Sequence, residues 1–216
     1  RHDAVETHLL NKKINNAAHR WFQSLLHGYL FFRIPLFKPD RWLGEVLPYF
    51  SFVFKKSFLK ITLAVFLFGL IGVFQQWEVF KATLVDTFSL SGLLSYSLTL
   101  IIIKVIHELG HALVAKKNGC RVPTMGIAFL VMWPVAYTDV TESWKLSSHH
   151  KRLQIAGAGI ATELVLSAWA LLLWVVFPEN GVRDLFFFIS TTSLITTIGL
   201  NASPFMRFDG YFLLCE

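Results

Sequence analysis

From Phe88 to Ala115 the chain runs through Leu, Ile, Val and small residues, broken only by Lys104, His107, Glu108 and His111. A stretch of about 20 apolar residues is enough to cross a bilayer as a helix. In lipid, every backbone N–H and C=O must be paired within the protein, which leaves helices and closed barrels as spanning structures. This run therefore predicts a helical membrane protein with ionisable side chains held deep inside it. Such groups are costly in that medium and mark function.

Composition agrees. The chain is 54% hydrophobic, with a mean hydropathy of +0.53 and 16% charged residues. Half of the twenty Lys and Arg lie in the first sixty residues. A net charge of +6 on a soluble domain would suggest nucleic acid. Here the positive charge flanks apolar spans, so it is assigned to topology, with no nucleic-acid partner expected. Further spans are predicted at about 61–77, 152–177 and 182–200, giving with 88–115 an all-α, polytopic bundle of about four transmembrane helices. Lys/Arg-rich connections place both ends of this four-span unit on the cytoplasmic side. Residues 1–60 form a separate amino-terminal region, cytoplasmic or lying on the membrane surface, and 61–216 form the transmembrane domain. Asn118–Gly119 is a helix stop. The segment after it, with Pro123, Gly126 and Pro134 around the β-leaning run Ile127–Trp133, predicts a β-hairpin or re-entrant loop. Cys120 and Cys215 have neither metal-site spacing nor enough company for a disulfide framework.

Within the second span stands His107-Glu108-Leu109-Gly110-His111. Two histidines one helical turn apart project from one face and can bind one ion, and a glutamate beside the first can take a proton from a water. Eight His and eight Glu in this composition would produce such a pattern by chance roughly 0.01 times per chain. A catalytic zinc takes a third protein ligand and keeps a position open. Glu163, inside the third span, and Asp209, after the fourth, are both candidates, and spacing alone does not choose between them.

The chain resembles the site-2 protease family of intramembrane zinc proteases, which pairs an H-E-x-x-H helix with a later N-x-x-P-x-x-x-x-D-G motif. Asn201, Pro204, Asp209 and Gly210 stand at the four fixed positions of the second motif. The resemblance covers about residues 88–216. It implies that Asp209 is the third zinc ligand beside His107 and His111, that Glu108 is catalytic, and that Asn201 faces the active site and holds substrate or oxyanion. It also implies that a break at Pro204 turns Asp209 to the metal. Arg33–Phe37, Pro39–Arg41, Ala136–Thr141 and Asp209–Phe212 look like a bacterial subgroup whose longer members join a secretion-adaptor-like region, itself a candidate partner.

The expected activity is hydrolysis of peptide bonds in membrane-embedded or membrane-associated proteins or peptides near the cytoplasmic face of the bacterial inner membrane. The 125–133 segment is expected to pair with an unwound substrate as an added strand. Lys104 shares the histidine face and, a cation near a metal being unfavourable, is expected to point into an aqueous vestibule, with neutralisation by Glu163 as the alternative. Glu163 is expected either to partner a ligand histidine or to bond between helices. Gly157 and Gly159, among Ala156, Ala158 and Ala161, predict close helix contact near the metal. The competing reading is a non-proteolytic membrane component of a peptide export or immunity system that retains the zinc site.

Overall fold

The computed structural model describes residues 31–130, 133–201 and 209–215. The expectations for residues 1–30 and for the break at Pro204 fall outside these residues. The described chain divides into a helical unit, residues 38–124 with 138 onward, and a small sheet unit, built from residues up to 37 and from 125–137.

The helical unit begins with α1 (Asp40–Val46) and a 3-10 turn at Ser51–Phe54, followed by α2 (Lys56–Gln75) and α3 (Trp77–Asp86). Next come the long α4 (Leu90–Lys117), α5 (His149–Ala156) and α6 (Ala158–Val176). It ends with α7 (Gly181–Thr196), a π-helical turn at Thr197–Asn201, and α8 (Asp209–Cys215). Three of these helices, α2, α4 and α6, are long and apolar enough to cross a membrane. In place of the fourth expected span, α7 has 16 residues and runs on into the π turn. The third expected span is divided: α5 and α6 meet at Gly157, whose N–H still donates to the Leu153 carbonyl at 2.9 Å. The stop at Asn118–Gly119 forms as expected, with Gly119 at φ 86° and the Cys120 N–H closing on the Ala115 carbonyl.

Helices α2, α6 and α7 meet around Val73, Leu171, Trp174 and Phe187, with Phe80 from α3 edge-on to Trp174 at 5.7 Å. Lipid is as apolar as these side chains, so contact and directed hydrogen bonds hold the helices together. Trp169 Nε1 donates to Thr62 Oγ1 at 3.3 Å between α6 and α2. Buried Arg183 lies over the Trp174 ring at 4.9 Å and donates to the Trp174 carbonyl at 3.0 Å and to Gln76.

At the end of α4, Lys116 Nζ donates to Asp40 Oδ1 at 2.7 Å, and the Val122 N–H donates to the same oxygen at 3.1 Å. These two bonds hold the Asp40 carboxyl below the usual carboxylate range. They tie α1 to the carboxyl end of α4, with Leu43 fully buried beneath.

The sheet unit contains the expected hairpin, β2 (Met125–Leu130) and β3 (Trp133–Thr138), and a third strand, β1 (Phe31–Phe37). The order is β1-β2-β3, and β1 pairs antiparallel with β2. Phe32 stacks on Phe129 at 4.5 Å. The register slips between Pro35 and Phe37. Proline has no N–H for the ladder and is confined to edges and bulges, which is how this aromatic stretch remains a strand despite its proline.

Candidate metal centre

His107 and His111 lie on one face of α4, four residues apart and both buried, with ring centroids 4.9 Å apart. Asp209 opens α8 and brings Oδ2 to 2.9 Å from His107 Nε2 and 3.1 Å from His111 Nε2. The two Nε2 atoms are 3.2 Å apart. Among the described residues, these three groups together could hold one metal ion.

The outer partners of the rings determine what the centre requires. His111 Nδ1 is 2.7 Å from the Ile155 carbonyl, an oxygen that only accepts, so Nδ1 carries the proton. His107 Nδ1 stands 2.8 Å from Glu163 Oε1, a short approach somewhat off the hydrogen-bonding line, and again the neighbour is an acceptor. In their neutral forms both rings therefore turn a lone pair inward, toward a carboxylate oxygen. Three acceptors at 2.9–3.2 Å repel one another unless positive charge lies between them. A tetrahedral zinc shell with bonds of about 2.0–2.2 Å has edges of about 3.3–3.6 Å, so the three atoms need part by only a few tenths of an ångström to receive the ion. The donor set fits that ion.

Gly159 shows how closely α6 approaches. A β-carbon there would collide with His107 Nε2 and stand 2.5 Å from His111 Nε2. Only a residue without a side chain leaves the inner nitrogens free. Glu108, next along α4, is half-buried, and its carbonyl accepts a bond from Thr138 Oγ1 at 3.0 Å.

Glu163 is 1% exposed and stands behind His107 rather than among the inner ligands. Its Oε1 accepts from Lys104 Nζ at 2.8 Å. Its Oε2 accepts from Thr196 at 3.1 Å, Thr197 at 2.6 Å and Asn201 Nδ2 at 2.7 Å. The vestibule expected for Lys104 is thus corrected: the ammonium is drawn inward by the opposite charge of Glu163, which would otherwise be buried unpaired. The π turn places Thr197 and Asn201 on the same carboxylate as Thr196, a common use of such bulges near functional groups.

Sequence reading overlooked Thr196, Thr197, Thr138 and the Ile155 carbonyl. The threonine pair in an apolar span was a visible signal; a backbone carbonyl leaves none. His149 and His150 open α5 as exposed residues, away from the ligand set.

The family model described as peptidase family M50 matches residues 95–179, which include His107, Glu108, His111 and Glu163 and end before Asn201 and Asp209. No solved structure matches the chain.

Proposed function

We propose, from the premise that residues 95–179 belong to peptidase family M50, the site-2 protease family, that this membrane metalloprotease is a zinc endopeptidase cutting membrane-embedded or membrane-associated proteins or peptides. The observation that carries this reading is the convergence of lone pairs from His107, His111 and Asp209 beside Glu108. Zinc held by His107, His111 and Asp209 would supply Lewis acidity for activating a water and the scissile carbonyl. Glu108 accepts the proton of the attacking water and passes it to the leaving amine. Asn201 spends one amide N–H on Glu163 and keeps the other for the developing oxyanion.

The cytoplasmic end of a bacterial inner membrane is the proposed site of action. His111 precedes Lys116 by five residues, about 7.5 Å of helix rise, and cationic residues flank spans on that side. A helical substrate shields its own carbonyls and must unwind; the 125–133 segment expected to pair with it lies, as β2, between β1 and β3, so both edges of that strand are already taken. Glu108→Gln tests the whole reading. The variant should bind zinc at wild-type stoichiometry and leave uncut the membrane peptides that the parent strain removes. If cells carrying it behave as the parent does, the protein is the non-proteolytic component instead.

A further inference from the structure

Lys104, Glu163 and Asn201 form a closed triangle. Lys104 Nζ donates to Glu163 Oε1 at 2.8 Å and to Asn201 Oδ1 at 3.2 Å, while Asn201 Nδ2 donates to Glu163 Oε2 at 2.7 Å. An ammonium can only donate and a carboxylate can only accept, so the Asn201 amide has one orientation here and cannot flip. The Glu163 carboxylate is the common member: one oxygen faces His107 Nδ1 and Lys104, the other gathers Thr196, Thr197 and Asn201.

We propose that Glu163, held by Lys104, is a positioning residue that couples the orientation of the metal ligand His107 to that of the Asn201 amide. This inference rests on the metalloprotease reading for its consequence in catalysis and on the geometry alone for its consequence in metal binding. A carboxylate behind a ligand imidazole fixes the ring and the inward-facing nitrogen. The same carboxylate, by taking one proton of the Asn201 amide, fixes where the second proton points. Lys104 offsets the buried charge and holds Asn201 from its oxygen side. A glutamine at 163 cannot replace it: one end must accept from Lys104 while the other accepts from two threonines and an amide, and an NH2 group opposes either set.

The test uses the full chain in lipid nanodiscs, with thermal melts confirming that each variant is folded. Chelator competition with zinc alone should show Glu163→Gln binding about 10–100-fold more weakly. Its cobalt-loaded form should show shifted visible bands. With a quenched-fluorescent transmembrane peptide, Lys104→Met should lower kcat more than it changes KM, and Lys104→Arg should recover most of the loss. In an Asn201→Ala background Lys104→Met should lower kcat by less than it does in the parent, since one of the two partners of Lys104 is gone and only its bond to Glu163 remains. Should Glu163→Gln fail to fold, Thr197→Val removes one donor from the same oxygen and is read in the same way. The proposal is overturned if the folded Glu163 or Thr197 variant binds zinc like wild type and only melts earlier, or if the Lys104 and Asn201 losses multiply. Failure of the protease reading looks different: Glu108→Gln would then leave peptide turnover unchanged while the zinc results stand.

Discussion

Gly159 faces His111 so closely that a β-carbon on the glycine would stand 2.5 Å from the imidazole Nε2. The approach of α6 to α4 is therefore part of the candidate metal centre. A methyl group would occupy the space in which the inner nitrogens converge. Gly159→Ala should abolish zinc uptake, read as metal content of the purified protein. Gly181→Ala, at a position with open space around it, should retain full metal content and change stability by no more than about 0.5 kcal/mol.

The two acidic candidates for third ligand are separated by their positions. Asp209 touches both inner nitrogens, whereas Glu163 touches only the outer nitrogen of His107. Asp209→Asn should therefore weaken zinc binding more than Glu163→Gln does, by at least about tenfold beyond it. Equal losses, measured side by side by chelator competition, would mean that both carboxylates ligate.

Asp40 makes a pH-dependent contribution at the carboxyl end of α4. Its folded pKa lies below the unfolded value of about 3.9, so its contribution is present above that value and disappears as pH falls through the lower, folded one. Because the Asp40 side chain is one-third exposed, the interaction is worth no more than about 1 kcal/mol. Asp40→Asn should lower unfolding stability by about that amount at neutral pH. The gap between variant and parent should close below about pH 4, measured by denaturant titration in detergent.

Arg183 stabilises the bundle with no share in the centre. It satisfies the Trp174 carbonyl, bonds Gln76 and covers the Trp174 ring. Arg183→Ala would leave the Trp174 carbonyl without its side-chain donor and strip Gln76 Oε1 of its partner, and should cost about 3 kcal/mol. Zinc affinity in the folded fraction should be unchanged; a parallel loss would link the two ends of the bundle.

Much of the molecule is legible in one dimension because its rules are local. Apolar length requires helices in lipid, a four-residue spacing puts His107 and His111 on one face, and Asn118–Gly119 ends α4 where the side-chain pattern says it must. The hairpin after it follows from its β-leaning residues and prolines. The strand Phe31–Phe37 was not visible, because its partner lies almost a hundred residues away and its proline argues against pairing until the bulge is seen.

A helical membrane protein with a histidine pair and a neighbouring glutamate on one of its spans follows from residue order. Residue spacing left the third carboxylate open and the second motif only implied Asp209; the fold shows Asp209 among the inward nitrogens and Glu163 behind them. Asp209 and Glu163 are equally capable ligands as residue types, and they are separated by where the fold brings each carboxylate: one against both inner nitrogens, the other against the outer nitrogen of His107. Tertiary structure also decided the state of Lys104: a buried cation takes the nearest buried anion, and only the fold could bring Glu163 within 2.8 Å.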